Sequence, residues 1–201
     1  MNDYSPVFAP SSSNYIVNVS ESVSIGSDVI NIHATDKDKG SQGDVYYALT
    51  RGNIGNSFSI NRTSGAITIA RKLDREKTGV YDLIVKAYDG AVTEKVRFTE
   101  GHVTVNIGDI NDNAPHFTKK EFTTSVKETA DLNDVILRVN ALDRDAGTNA
   151  ELKFSITSGN VDGYFDVIPA TGDIIVKKSL DLEGVAPPSL NHSLGKVIYL
   201  P

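Results

Sequence analysis

Apolar and polar residues alternate with a period of two at several places along the chain. The pattern is clearest in "VINIHA" at 29–34, "AITIA" at 66–70, "YDLIVKA" at 81–87 and "VTVNI" at 103–107. In the third of these, Tyr81, Leu83, Val85 and Ala87 fall on one face while Asp82, Ile84 and Lys86 fall on the other. That is the signature of a half-buried strand. Enrichment in Thr, Val, Ile and Tyr suits a pleated surface. "TSG" at 63–65 and "ATG" at 170–172 supply glycine turns. No long segment has a helical period. Short strands punctuated by turns predict an all-β chain built as an antiparallel sandwich.

The same pattern occurs twice. Displaced by 107 positions, Glu21 falls on Glu128, Asp36 on Asp143, Asp38 on Asp145 and Gly40 on Gly147. Gly52-Asn53 falls on Gly159-Asn160, Phe58 on Phe165, Gly65 on Gly172, Ile67 on Ile174, Leu73 on Leu180, Asp74 on Asp181 and Glu76 on Glu183. The lead-in "NDYSPVF" at 2–8 resembles "NDNAPHF" at 111–117. A period this long is a whole domain, so the chain reads as two sandwiches of about 100 residues each. The expected division is residues 1–108, a linker at 109–115, and 116–201.

Composition narrows the function. The chain has 201 residues and a formal net charge of -6. This acidity, without a dense Lys/Arg run, argues against nucleic acid or an anionic membrane surface as partner. There is no cysteine, so disulfides, thiolate metal sites and cysteine nucleophiles are out. No apolar run reaches about 18 residues, as a membrane-spanning helix needs. "MNDYSPVF" lacks the apolar stretch of a signal peptide.

The acids carry the chemistry. Glu21, Asp74, Glu76, Asp109, Asp112, Asp143 and Asp145 come from separated regions, and a sandwich gathers its loops at its poles. Seven uncompensated carboxylates would repel strongly. Three Ca²⁺ ions would bring +6 against their -7. Calcium takes six to eight oxygen ligands, neutral carbonyls included, and "DINDNAP" at 109–115 is rich in them. His and Cys are absent from the set, which disfavours zinc and copper. An EF-hand needs Gly and Glu at loop positions 6 and 12. Counting from Asp36 these are Ser41 and Tyr47, and from Asp143 they are Thr148 and Phe154. A carboxylate-pair hydrolase is the other alternative, but a duplicated acid set offers no unique pair. The four histidines share no spacing.

The glutamates at 21 and 128, the "DRE" of 74–76, the "DxNDNxP" of 109–115, the "DxDxGxN" of 143–149 and the "AYDG" of 87–90 together resemble a pair of cadherin extracellular repeats. The resemblance covers nearly the whole chain. It implies two Greek-key sandwiches joined by a calcium-binding linker, and a role in calcium-dependent adhesion or recognition outside the cell. It implies one ion at Glu21, Asp74, Glu76 and Asp112. A middle ion falls to Glu21, Glu76, Asp109, the Ile110 carbonyl, Asp112 and Asp145. A third falls to Asn111, Asp143, Asp145 and the carbonyls of Asn113 and Asn149. The third lacks one family ligand, because Lys196 stands at the offset of Asp89. Asn2, Asp3, Asp36, Asp38 and Asp89 form the corresponding set for a preceding repeat, and Glu128, Asp181 and Glu183 for a following one. The implied partners are neighbouring repeats and another cadherin ectodomain.

Two features depart from the pattern. Strand-exchanging cadherins use a tryptophan near the mature N-terminus, and this chain has no Trp. From 184 the second copy runs "GVAPPSLNHSLGKVIYLP", where prolines at 187 and 188 oppose a central strand. The second sandwich is therefore expected to be incomplete and the less stable of the two. Asn18-Val19-Ser20, Asn61-Arg62-Thr63 and Asn191-His192-Ser193 fit the N-glycosylation pattern.

Overall fold

The computed structural model describes residues 2–9, 13–91 and 95–180. The chain divides into two compact units, Met1–Ile110 and Asn111–Pro201. The described residues contain strands and short 3-10 turns, and no helix among them is long and apolar enough to cross a membrane.

In the first unit the strands are β1 (Val7–Ala9), β2 (Asn14–Ser20), β3 (Asp28–Asn31), β4 (His33–Thr35), β5 (Val45–Arg51), β6 (Phe58–Ile60), β7 (Ala66–Ile69), β8 (Val80–Asp89) and β9 (Phe98–Gly108). They form a four-stranded sheet in the order β2-β9-β8-β5, a three-stranded sheet β3-β7-β6 and a β1-β4 pair. The alternation at 81–87 reads out as expected. Leu83, Val85 and Ala87 are fully buried and Tyr81 nearly so, with Tyr81 beside Val105 and Leu83 beside Val103 of the neighbouring β9. Phe58, Ile67 and Ile69 of the other sheet join this core, with Ile32 and Leu73 just outside its strands.

Two details differ from the sequence reading. The run 29–34 is not one strand: β3 pairs with β7 and β4 with β1, and the chain changes partner at the fully buried Ile32. The sandwich is also not wholly antiparallel, because β2 and β9 run parallel from Asn14↔His102 to Ser20↔Gly108. Alternation reports which face a residue takes, not which strand it neighbours or in which direction. Hence neither feature could be read from periodicity.

The second unit has β10 (His116–Phe117), β11 (Val135–Arg138), β12 (Ala141–Leu142), β13 (Phe165–Ile168) and β14 (Asp173–Val176). The sheet β11-β14-β13 and the pair β10-β12 reproduce β3-β7-β6 and β1-β4. Even the irregularity repeats: register shifts between Asp28 and Ile30 in the first unit and between Val135 and Leu137 in the second. Residues 152–157, the counterparts of most of β5, carry no strand assignment. The expected tail at 184–201, with Val197–Leu200 as its strand candidate, lies outside the described residues, as do Asp181, Glu183 and Asn191.

The glycine turns serve a specific purpose. Gly65 and Gly172 have φ of 75° and 72°, a region that costs other residues. A Cβ at Gly65 would run into the Ile32 carbonyl oxygen, and one at Gly172 into that of Val139.

Candidate metal centre

At one end of the first unit the parallel β2–β9 register sets Ser20 beside Gly108, and the Glu21 amide donates to the Gly108 carbonyl at 3.0 Å. This brings Glu21 against the start of the linker. Its carboxylate is buried, 2% exposed. It accepts the Arg75 N–H at 2.8 Å and the Ile110 N–H at 3.0 Å. Glu21 thus fastens the "DRE" loop to the end of β9. A buried carboxylate needs such donors or a cation.

Glu76 and Asp109 stand on either side of the Arg75 guanidinium. Nη2 lies 2.6 Å from Glu76 Oε1, and Nε lies 2.5 Å from Asp109 Oδ1. Burial by itself lowers the Arg75 pKa, but Asp109 and then Glu76 outweigh it and raise it above its usual value. Asp74 accepts from Lys77, Nζ at 2.6 Å and the backbone N–H at 3.0 Å. The Lys77 ammonium holds the Asp74 carboxyl below its usual range. Of the first-unit linker-side acids named from sequence, Glu21, Glu76 and Asp109 therefore gather here around Arg75 and Ile110, while the Asp74 side chain is bonded to Lys77. The sequence reading missed the two cations among them, Arg75 and Lys77, although both stand within the quoted motif or one residue past it.

The opposite pole of the same unit collects Asn2, Asp3, Asp36, Asp38 and Asp89. Asn2 and Asp89 are buried, and Asn2 Nδ2 donates to Asp89 Oδ2 at 2.8 Å. Asp89 also accepts the Arg97 and Ala91 amides at 2.9 and 3.2 Å. Asp38 accepts the Tyr4 N–H at 3.0 Å and the Asp3 N–H at 3.2 Å. Desolvation pushes the Asp38 carboxyl up, but these two amides prevail and hold it lowered. Asp3 contributes its backbone, with its side chain exposed. Asp36 Oδ1 accepts the Asp38 N–H at 2.9 Å, whereas its buried Oδ2 has no hydrogen-bond partner among the described residues.

The second unit repeats this arrangement. Asp143 Oδ1 accepts the Asp145 N–H at 2.9 Å, and the buried Asp143 Oδ2 likewise lacks a hydrogen-bond partner among the described residues. Asp145 is buried and accepts the Asn113 backbone N–H at 3.3 Å, just as Asp38 accepts that of Tyr4. The Asn113 side-chain amide donates to Asp145 at 2.7 Å and to Asp112 at 2.9 Å. Asn149 sits in the 3-10 turn Gly147–Ala150 and its N–H donates to Ala146 at 3.1 Å. Gln42 occupies the matching turn Gly40–Gly43 of the first unit. Asn111 and the Asp112 side chain are exposed.

The donor set suits a hard cation. It is made of carboxylate and carbonyl oxygens, without thiolate or imidazole. The orphaned buried oxygens of Asp36 and Asp143 occupy equivalent positions in the two units, and a buried acceptor without a partner costs about 1–3 kcal/mol. A divalent ion would satisfy both the oxygen and its charge.

Comparison with known proteins agrees with these features. The family model for the cadherin domain matches residues 15–108 and 122–188. The mouse Cadherin EGF LAG seven-pass G-type receptor 2 is 39% identical over 184 residues, covering 92% of this chain and 6% of the receptor. The chain thus spans a small fraction of the curated relatives it matches. A crystal structure of mouse Cadherin-23 EC22-24 superposes with a TM-score of 0.75 at 33% identity, covering 90% of this chain and 56% of that one. A protocadherin gammaB7 EC3-6 cis dimer superposes with a TM-score of 0.76 at 26% identity, covering 92% and 47%. Two matched segments, a duplicated acid framework and the same fold lead to one conclusion: this chain belongs to the cadherin family, as a tandem of cadherin repeats.

Proposed function

We propose that this chain is an extracellular adhesion or recognition module whose linker binds Ca²⁺ and is stiffened by it. The relatives and structural neighbours are cadherins, which are not enzymes, so the carboxylate-pair hydrolase reading falls away. The observation that carries the calcium reading is the repeated orphaned oxygen, Asp36 Oδ2 and Asp143 Oδ2, at equivalent places in the two acid-rich sets. Glu21, Asp74, Glu76, Asp109 and the Ile110 carbonyl would hold ions from the first repeat. Asn111, Asp112, Asp143, Asp145 and the Asn113 and Asn149 carbonyls would hold them from the second. Residues 109–115 form the linker on this reading, and Asp109 and Asp112 flank the Ile110–Asn111 peptide within it. When bound, the ion supplies positive charge and fixed coordination geometry.

Stiffness matters because an extended array otherwise loses orientational freedom at every joint when it binds. The partner on this reading is another cadherin ectodomain; the gammaB7 neighbour assembles as a cis dimer. The exposed sequons at Asn18 and Asn61 suit a glycosylated extracellular surface. Calorimetric titration of the chain with calcium tests the reading. Asp112→Ala should weaken binding by at least about tenfold, since a ligand shared by two ions is lost. Unchanged affinity in that variant would sink the assignment.

A further inference from the structure

Arg75 lies where the proposed middle ion would act. Its guanidinium bridges Glu76 Oε1 and Asp109 Oδ1, two carboxylates assigned to that ion. Calcium binds oxygen at 2.3–2.6 Å, about the distance at which the guanidinium already stands. A guanidinium and a dication on the same two oxygens would repel strongly. We infer that Arg75 is a built-in counter-cation of the ion-free first repeat, displaced when calcium binds, and that it sets the affinity of the linker. The inference rests on the calcium reading above.

The geometry allows the exchange. The Arg75 backbone is held by Glu21, whose carboxylate accepts its N–H at 2.8 Å. The side chain keeps 21% exposure and so has a route to solvent. The loop can stay in place while the guanidinium leaves. Lys77 does for Asp74 on a more exposed site what Arg75 does for Glu76 and Asp109. The second copy provides a contrast in sequence: Leu182 and Gly184 stand at the offsets of Arg75 and Lys77, between and after the same two acids. The counter-cations are thus a property of the first repeat and not of the acid framework itself.

The test compares the unaltered chain with Arg75→Leu, the second copy's own residue, and Arg75→Lys. In chelator, Arg75→Leu should melt earlier, because Glu76 and Asp109 lose their compensation. In calorimetry with calcium alone as titrant, it should bind about fivefold or more tightly, the scale of a modest coupling between two ligands of one site. Arg75→Lys should fall between the two. Should Arg75→Leu fail to fold in chelator, it can be prepared in calcium and titrated with a competing chelator to give the same constant. Equal or weaker affinity in Arg75→Leu would overturn the inference, since Arg75 would then be shaping the ligands and not competing for them. Absence of calcium binding by the unaltered chain gives a different signature, no heat from any of the three proteins, and would remove the calcium reading as well.

Discussion

Among the described residues the two repeats share one sheet, and the other is assigned only in the first. Sheet β3-β7-β6 has its twin in β11-β14-β13, residue for residue at the repeat offset. Ile32, Phe58, Ile67, Ile69 and Leu73 correspond to Val139, Phe165, Ile174, Val176 and Leu180, all buried in their own cores. The first core adds Tyr81, Leu83, Val85 and Ala87 from β8 and Val103, Val105 and Ile107 from β9. The second core has no such contribution among the described residues. The sheet common to both is built from short strands, of which one pair in each repeat, β6–β7 and β13–β14, is joined by a tight turn. The other sheet of the first repeat depends on two long strands late in the domain, β8 and β9.

The sharpest way to break this comparison is to remove part of the extra sheet. Leu83→Ala should cost the first repeat about 2–5 kcal/mol, read as a large downward shift of one transition in a thermal melt. The transition of the second repeat should stay where it is. If both move together, the cores are not independent.

Hydrogen exchange addresses the segment 152–157. Amides at 152–157 should exchange at least about tenfold faster than those at 45–50, because β5 is held by β8 and local opening tracks the loss of such pairing. The amides of β14 should match those of β7, since each is paired on both sides. Equal protection at 152–157 and 45–50 would mean that the second repeat completes its sheet.

A smaller difference lies at one hydroxyl. The Ala34 N–H donates to the buried Tyr47 Oη at 2.7 Å, while the second repeat has Ala141 and Phe154 at these places. Tyr47→Phe should therefore cost the first repeat about 1 kcal/mol, measured by denaturant unfolding. No change in midpoint would show that the amide finds another acceptor.

The smallest expected effect favours the second repeat. Arg138 holds Asp173 with two N–H donors, the Nη2 one at 2.9 Å, where the first repeat has Asn31 and Ala66. This guanidinium, together with the Thr171 hydroxyl, lowers the Asp173 carboxyl below its ordinary 3.8. A lowered folded value means stability that is present above pH 3.8 and lost as the pH falls through the lowered pKa. Arg138→Gln should remove this acid sensitivity from the second transition and leave the first alone. Arg138 is largely exposed, so the effect is modest. An unchanged acid profile would assign the sensitivity elsewhere.

Much of this was legible in the chain. The faces of β8 follow its alternation, and Asp36 with Asp38 recurs as Asp143 with Asp145 in the same local hydrogen bond. The repeated Gly-Asn pairs show a limit. Asn53 and Asn160 each bracket a buried Phe, accepting its N–H and donating to its carbonyl at 2.7–3.2 Å. Repetition marked these asparagines, but nothing local stated what they hold. Arg75 was equally visible and equally silent, because a side chain's partner depends on which loop lies beside it.

The sequence by itself determined the duplication, the strand faces, the glycine turns and which oxygen-bearing side chains recur. These follow from periodicity, from backbone conformations that only glycine enters cheaply, and from side-chain chemistry, all local properties. Tertiary structure alone decided that β2 runs parallel to β9, that the chain switches sheets at Ile32, and that Arg75 rather than solvent compensates Glu76 and Asp109. These depend on residues far apart in the chain, such as Ser20 beside Gly108 and Arg75 beside Asp109. Such neighbours leave no period in either segment, and their interaction energy exists only once both have been brought to the same end of the sandwich.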